Sequence, residues 1–263
     1  KILWDFVEEE KINFMGVSAK YIDALAKENL NIIDEYSLLD LEIIGSTGSP
    51  LVHESYDYIY NLIKKDVSVA SLSGGTDIVG CFIGGNPFAS VRRGEIQGPI
   101  LGMDVHVFNE KGKSIKNTKG ELVCTQSFPT MPLFFWNDKN NEKYQNAYFN
   151  KFPNVWCHGD YLMKTESNGF IIFGRSDATL NPGGVRIGTA EIYRQVEQLD
   201  EIVEGLVVGQ TWEGDTRVIL FVRLNPEFKL TKDLTDKIKS KIRIGASPRH
   251  VPSKIIAVED IPR

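Results

Sequence analysis

Residues 173–192, FGRSDATLNPGGVRIGTAEI, contain the densest concentration of chemically specialised residues in this chain. The planar guanidinium groups of Arg175 and Arg186 suit paired contacts to phosphate oxygens. The tight turn expected at Gly183-Gly184 leaves room for a thin ligand, because glycine has no side chain. Hydrophobic packing alone does not account for this combination, so the stretch predicts a ligand-binding segment.

The sequence pattern changes at the same place, which predicts a domain boundary at residues 175–177. From there onward the expected elements are a helix at 190–199, strands at 203–208 and 218–224, a helix at 230–244 and a strand at 254–258. This order predicts a small α+β domain at 176–263, preceded by a larger domain at 1–175.

The first part of the chain predicts an α/β layout in which polar loops follow buried strands. The expected elements are a helix at 15–27 with Ser18 as N-cap, a strand at 41–46, a helix opening at Ser49-Pro50 and a strand at 67–70. Further along, the patterns at 103–108, 121–124 and 169–174 predict strands of a small antiparallel sheet or barrel. Residues 127–156, rich in aromatic residues and asparagine, give no clear assignment.

Composition excludes several functional classes. Of the 263 residues, 42% are hydrophobic and 25% charged, which is typical of a globular protein with a sizeable core. The net charge of -5 argues against nucleic acid or a membrane surface as a partner. No apolar run approaches the roughly 20 residues that span a bilayer. Three widely spaced cysteines without a CxxC pair predict neither a disulfide framework nor a zinc site, and they favour the cytoplasm.

Three familiar catalytic signatures are missing. Gly112-Lys113-Ser114 lacks the first glycine of a phosphate-binding P-loop, because Val107 stands in its place. His53-Glu54 is not a zinc-protease motif, since Asp57 stands where the second histidine is needed. The chain also contains no Gly-x-Ser-x-Gly nucleophile elbow.

Three other segments have the residue types of a nucleotide site, each with a structural alternative. Residues 45–50 join a strand to a helix and suit a ring or phosphate, although a plain capped turn is the better explanation of this segment taken alone. In 71–77, the Thr76 hydroxyl suits a phosphate and Asp77 suits Mg²⁺, or the segment is an unliganded glycine loop. In 156–160, Asp160 suits a ribose diol or is an ordinary turn carboxylate, and His158 receives no catalytic role.

Residues 174–192 resemble the hinge signature of the adenylate-forming superfamily, which includes acyl-CoA synthetases, luciferases and peptide-synthetase adenylation domains. The segments 73–77 and 156–160 stand where that superfamily has its aromatic-x-x-Thr-Glu and Thr-Gly-Asp motifs, and 48–50 stands at its adenine-binding turn. The resemblance covers essentially the whole chain. It implies an α/β fold: the carboxy-terminal part of a large domain, with α/β layers and a small β-barrel-like subdomain, followed by a small mobile α+β domain.

Within the superfamily, the segments 73–78, 81–87, 131–138 and 155–161 resemble the acetoacetyl-CoA synthetases. Acetyl-CoA synthetases have a tryptophan in the acyl pocket where this chain has Gly74. Exchange of an indole for a hydrogen predicts a pocket for an acid longer than acetate.

The resemblance implies ATP-dependent ligation of acetoacetate to CoA through an acyl-AMP intermediate, with Mg²⁺, release of AMP and pyrophosphate, and no prosthetic group. Rotation of the small domain between the two half-reactions is part of that mechanism. The implied sites are catalytic Thr76, Asp77 and Arg186; ATP or AMP contacts at Gly48, Ser49, Pro50, Ser71, Leu72, Ser73, Gly74, Gly75, Thr76, Asp160, Arg175 and Arg186; acyl contact at Gly74; CoA contacts at Gly183, Gly184 and Arg243; hinge Asp177; and magnesium at Asp77.

The sequence also departs from the family pattern. The family's phosphate loop is expected before residue 1 and its catalytic lysine after residue 263, so 1–263 alone is expected to be inactive. Asp77 replaces the usual glutamate but keeps a carboxylate, and Gly183 replaces a serine, which leaves only a backbone contact to CoA. Two alternatives stay open: another short- or medium-chain acyl-CoA synthetase, and a non-catalytic nucleotide-binding homologue.

Overall fold

A computed structural model describes residues 1–176, 180, 182, 187–213 and 215–262. The chain divides into two compact units, Lys1–Ile172 and Phe173–Arg263. Both mix helices and strands, and each has its own hydrophobic core. Among the described residues, no helix combines the length and the apolar character needed to cross a bilayer.

The first unit begins with a three-stranded parallel sheet in the order β1-β2-β3. Its core includes Trp4, Ile22, Ile44 and Ile59, all essentially inaccessible to solvent. The elements of this part are α1 (Ile2–Glu9), β1 (Phe14–Ser18), α2 (Ala19–Lys27), β2 (Ile43–Thr47), α3 (His53–Tyr58), a π-helical turn (Ile59–Ile63) and β3 (Ser68–Ser71).

The helix predicted at 15–27 is wrong in its first four residues, which belong to β1. Met15 to Ser18 pair in parallel with Ile44 to Thr47 of β2, so their backbone groups are committed to the sheet. The helix begins at Ala19, and Ser18 is its N-cap as predicted, because its Oγ accepts a hydrogen bond from Tyr21 N at 3.1 Å.

The helix predicted to open at Ser49-Pro50 begins only at His53, after Val52 as N-cap. A residue that precedes proline avoids the helical region, so Ser49 resists helix initiation. Gly48 just before it has a φ of +87°, which also ends the regular geometry. The glycine turn therefore does not lead directly into a helix N-terminus.

The π-helical turn ends at Lys64, whose ammonium group is buried against backbone carbonyls. Nζ donates hydrogen bonds to the oxygens of Leu38 at 2.6 Å, Leu39 at 3.2 Å and Leu41 at 2.7 Å. These bonds anchor the irregular chain that leads into β2. Lys64 is a structural residue that the sequence pattern does not reveal, since lysine is rarely buried.

The rest of the first unit contains a short antiparallel sheet, β4-β5-β6, and a four-stranded sheet in the order β10-β9-β8-β7. The strands predicted at 103–108, 121–124 and 169–174 are confirmed as β7, β8 and β10. The bounds are β4 (Ser73–Gly75), β5 (Gly80–Gly84), β6 (Gly98–Pro99), β7 (Val105–Phe108), β8 (Gly120–Cys124), α4 (Glu142–Tyr148), β9 (Trp156–Lys164) and β10 (Phe170–Arg175).

Helix α4 lies in the segment that the sequence left unassigned, and aromatic contacts hold it. The rings of Tyr148 and Trp156 stack with centroids 3.7 Å apart and planes 14° apart. At the other end of the helix, Asp138 accepts hydrogen bonds from the backbone N–H groups of Lys143 and Tyr144. A seven-residue helix is marginal by itself, so tertiary packing rather than helical periodicity decides its position.

The second unit has the elements that its sequence predicts, and its first two strands are longer than predicted. β12 pairs antiparallel with β11 and parallel with β13. The hydrophobic core of the second unit includes Ile192, Leu220 and Ile238. The bounds are α5 (Thr189–Val196), β11 (Ile202–Trp212), β12 (Asp215–Leu224), α6 (Lys232–Gly245) and β13 (Lys254–Ala257).

Candidate functional site

The carboxyl ends of the adjacent strands β2 and β3 bring two of the predicted nucleotide segments together. Leu72 N donates to Ser46 O at 2.8 Å, and Thr47 Oγ1 donates to Leu72 O at 3.2 Å. Ser46 is fully buried, and its Oγ has no hydrogen-bond partner among the described residues. Ligands of α/β sheets bind at this edge, where parallel strands end.

The glycine turn after β2 is open to solvent. A Cβ built on Gly48 would meet no heavy atom within 4 Å, so space does not require glycine there. Glycine is instead favoured by the backbone conformation, because residues with a side chain disfavour a φ of +87°. Ser49 and Pro50, which follow, are half-buried.

The segment Ser73-Gly74-Gly75, predicted as a loop, forms strand β4. It follows Ser71, which ends β3 and is buried, and Leu72, which is half-buried. A Cβ on Gly74 would lie 2.0 Å from Gly80 O, so glycine lets β4 approach β5 closely. The direction of a side chain is thus filled by backbone, which corrects the expectation that the glycine simply opens space. Its contact with an acyl group stays a prediction.

Thr76 and Asp77 begin the 3₁₀ turn Thr76–Ile78, and both are exposed. Asp77 Oδ2 accepts a hydrogen bond from the hydroxyl of Tyr148 on α4. Among the described residues, no group of three or more His, Cys, Asp or Glu side chains has the geometry of a metal site. One exposed carboxylate fits Mg²⁺ that arrives with nucleotide phosphates, because Mg²⁺ often uses only one or two protein carboxylates.

Asp160 lies in strand β9, not in the turn that its Gly-Asp sequence suggested. In the β8–β9 pairing, Glu121 lies opposite Tyr161 and Val123 lies opposite Cys157. The two β8 residues are two positions apart, whereas their β9 partners are four positions apart. The three residues between them form a bulge, and Gly159 at its centre has a φ of +82°. Bulges of this kind redirect side chains and are frequent beside active sites.

His158 occupies the start of this bulge and faces β4. Its side chain is buried, and Nε2 lies 3.3 Å from Gly74 O and 3.6 Å from Asp160 Oδ2. The 73–77 and 156–160 segments are therefore in direct contact within the first unit. Sequence reasoning gave His158 no role, and the only available signal was a histidine in place of the family's threonine.

The predicted residues of the second unit are less completely described. Arg175 is exposed at the end of β10. Arg243 is exposed in the last turn of α6. The predicted hinge Asp177, the CoA contacts Gly183 and Gly184, and the phosphate contact Arg186 lie outside the described residues.

A surface cleft of about 180 Å³ lies elsewhere in the first unit and contains none of the predicted site residues. Within it, Glu95 Oε2 already accepts hydrogen bonds from Thr165 and Ser167. The cleft is lined by Ala89, Ser90, Arg92, Glu95, Gln97, Ser167 and Gly169. It is therefore not the candidate site.

Cys157, next to His158 in sequence, packs into a separate core with Val123 and Phe152. Burial is the main cause that raises the pKa of its thiol to about 11, and the nearby Glu121 carboxylate adds to the effect. The thiol is thus expected to be neutral and unreactive at physiological pH.

Replacement of Cys157 by valine is expected to reduce the loss of stability at alkaline pH. An unfolded thiol ionises near pH 9, whereas the folded one stays protonated to about pH 11. The stabilisation that the protonated Cys157 thiol gives to the folded state is complete below pH 9. It is lost as the pH rises toward 11, because ionisation of the thiol favours the unfolded state. The measurement is the free energy of unfolding in urea at pH 8 and at pH 10.5, for the wild type and for Cys157→Val. The same pH dependence in both proteins would contradict it, because the tyrosines are common to both.

Comparison with known proteins gives this site a context. No protein-family model matches the chain. It is 58% identical over 262 residues to acetoacetyl-coenzyme A synthetase of Rhizobium meliloti, covering 100% of this chain and 40% of that protein. It is 45% identical over 263 residues to acetoacetyl-CoA synthetase of Mus musculus, covering 99% and 39%.

The solved structure of acetoacetyl-CoA synthetase from Streptomyces lividans superposes with a TM-score of 0.91 at 38% identity, over 100% of this chain and 40% of that one. The chain is thus similar over its whole length to acetoacetyl-CoA synthetases, which are adenylate-forming enzymes. It corresponds to the carboxy-terminal part of these relatives and spans about 40% of their length.

A more distant structure supports the fold of the superfamily alone. An anthranilate CoA ligase in complex with anthranoyl-AMP matches with a TM-score of 0.79 at 19% identity, over 100% of this chain and 49% of that one. The α/β fold class implied by the resemblance is therefore confirmed.

Proposed function

We propose that this chain is part of an enzyme that ligates acetoacetate to CoA with ATP, through an acyl-AMP intermediate, releasing AMP and pyrophosphate. The observation that carries the proposal is the match of the whole chain, in sequence and in structure, to acetoacetyl-CoA synthetases. The proposed partners are therefore small molecules: the acid, ATP and CoA. We assign the enzyme to the cytoplasm, in keeping with its three unpaired cysteines.

In the first half-reaction, the first unit supplies the nucleotide and acid contacts. The turn at Gly48 and the end of β3 receive the adenine, and the Asp160 carboxylate accepts hydrogen bonds from the ribose hydroxyls. Thr76 binds phosphate through its hydroxyl, and β4 at Gly74 borders the acid. The support is geometric, because β2, β3, β4 and β9 bring these segments together.

Magnesium, when bound with ATP, neutralises phosphate charge and leaves the α-phosphate open to the carboxylate of the acid. Asp77 is the residue proposed to hold it, since its carboxylate is exposed beside Thr76. Tyr148 orients this carboxylate, because its hydroxyl donates a hydrogen bond to Oδ2.

The residues proposed for the remaining steps lie at and after the predicted domain boundary at 175–177. Arg175 and Arg186 contact ribose or phosphate, and Arg243, Gly183 and Gly184 contact CoA. Asp177 is proposed as the hinge of a small mobile domain at 176–263, which follows the carboxy-terminal part of the adenylation domain at 1–175. The support is the resemblance of residues 174–192 to the hinge signature.

The test is acid-dependent pyrophosphate release by the protein expressed from the complete reading frame, with ATP, Mg²⁺ and CoA. Acetoacetate, acetate, butyrate and a long-chain acid are compared at equal concentration. We expect acetoacetate to give the highest kcat/KM. Preference for another acid would retain the reaction class but reject the substrate. Absence of release with every acid, from a folded protein that binds ATP, would indicate a non-catalytic nucleotide-binding homologue.

A further inference from the structure

The buried imidazole of His158 makes polar contacts on both of its nitrogens. Trp156 Nε1 donates to His158 Nδ1 at 3.4 Å, and on the opposite side His158 Nε2 lies 3.3 Å from Gly74 O. The Oδ2 atom of Asp160 is 3.6 Å from the same Nε2. One ring thus touches both the strand proposed to border the acid and the carboxylate proposed to bind ribose.

These contacts select one form of the ring. An indole N–H can only donate, so Nδ1 must accept and carries no proton. The proton of the neutral ring then lies on Nε2, which donates it in a hydrogen bond to Gly74 O, with Asp160 Oδ2 close by. A doubly protonated ring would set its Nδ1–H against the indole N–H of Trp156. The neutral Nε2–H tautomer satisfies the contacts to Trp156 Nε1 and to Gly74 O.

The adjoining strand packs closely against this ring. A Cβ on Gly75 would lie 2.6 Å from His158 Cε1. On another side, Phe82 packs edge-on against the imidazole, with centroids 4.8 Å apart. The imidazole and the glycine strand therefore fit each other sterically as well as through a hydrogen bond.

A second connection joins the same two segments. The hydroxyl of Tyr148 binds Asp77, while its ring stacks on Trp156. Contacts therefore run from Asp77 through Tyr148, Trp156 and His158 back to Gly74. These contacts link two segments that are distant in sequence, since Gly74 and His158, which share a hydrogen bond, are 84 residues apart.

We propose that His158 is a positioning residue that holds β4 and Asp160 at a fixed separation, so that the acid and the nucleotide are aligned for adenylation. The inference rests on the proposed function. β4 has only three residues, two of them glycines, and its pairing with β5 is irregular at Ser73/Gly74. Such a strand is weakly held by itself. Loss of its anchor would displace the acid site relative to the ribose site.

The experiment compares three variants of the protein made from the complete reading frame. His158→Phe keeps a flat ring but removes both nitrogens. His158→Gln places an amide N–H where Nε2–H stands. Tyr144→Phe is the matched control, because Tyr144 belongs to the same aromatic core but donates to Pro132 O, away from β4 and Asp160.

We expect His158→Phe to lower kcat/KM for pyrophosphate release by about 10- to 100-fold, since a 1 Å displacement costs about 100-fold. His158→Gln is expected to have a kcat/KM much closer to wild type than that of His158→Phe. Tyr144→Phe is expected to have a kcat/KM within about threefold of wild type. Equal activity of His158→Phe and Tyr144→Phe would overturn the inference. A defect in His158→Gln as large as in His158→Phe would also overturn it, provided both proteins are folded.

Nuclear magnetic resonance tests the tautomer of the His158 ring directly. In ¹⁵N-histidine-labelled protein, the signal lost in His158→Gln should show an unprotonated Nδ1 and a protonated Nε2. The opposite tautomer would overturn the proposed contacts. An inactive wild type would reject the proposed function instead, and ATP affinity would then decide, with weaker binding expected in His158→Phe than in Tyr144→Phe. Equal ATP affinity of these two variants would overturn the positioning role.

Discussion

Replacement of Asp160 by alanine is expected to lower kcat/KM for ATP by about 100- to 10,000-fold in acid-dependent pyrophosphate release. Two hydrogen bonds from ribose hydroxyls to a carboxylate are each worth about 1.5–3 kcal/mol, and each 1.4 kcal/mol corresponds to a factor of ten. The Asp160 side chain that would be lost is buried in the bulge of β9. Steady-state kinetics at varied ATP concentration measure it.

Two further variants make this result specific. Asp160→Asn keeps the shape and one acceptor oxygen, so it should fall between wild type and alanine. Glu166→Ala removes an exposed carboxylate from the turn after β9, where it binds Asn117, and should leave kcat/KM unchanged. Unaltered turnover in Asp160→Ala would reject the assignment of the ribose site.

Replacement of Lys64 by methionine is expected to lower the free energy of unfolding by about 2–5 kcal/mol. Methionine fills a similar volume but leaves the carbonyls of Leu38, Leu39 and Leu41 without their donor. A buried acceptor that loses its partner costs about 1–3 kcal/mol. Denaturant unfolding is the measurement, and the segment before β2 should lose protection from hydrogen exchange first.

The neighbouring lysine gives a matched control. Lys65 is exposed, so Lys65→Met removes the same charge without removing a buried donor. It is expected to change stability by less than about 0.5 kcal/mol, as surface substitutions usually do. Equal effects of the two substitutions would show that the carbonyl contacts of Lys64 do not stabilise the fold.

The prediction from sequence was most accurate where a local pattern and the final environment agree. In the second unit, α5, α6, β11, β12 and β13 occur in the predicted order, because one face of each carries the apolar residues of a single core. The N-cap at Ser18 was predictable for a similar reason, since it depends on a hydrogen bond within three residues.

Errors arose where distant contacts override the local pattern. The apolar spacing near Met15 is compatible with a helix, but pairing with β2 keeps these residues extended. Helix α4 was missed because the stacking of Tyr148 on Trp156 fixes it. An ordinary turn carboxylate was the structural alternative at Asp160, and pairing with β8 instead places this residue in a bulge of β9.

The sequence by itself determined the resemblance to the superfamily, the α/β fold class, and the chemical types at the candidate site: hydroxyls, glycines, carboxylates and two arginines. The residue types can be read from the sequence directly, and the superfamily comes from the resemblance of residues 174–192 to its hinge signature. Only the tertiary structure decided that Gly74 packs on Gly80 O, that His158 bridges β4 and Asp160, and that Lys64 lies buried among carbonyls. Those roles depend on atoms that lie far apart along the chain and meet only when the sheets have formed.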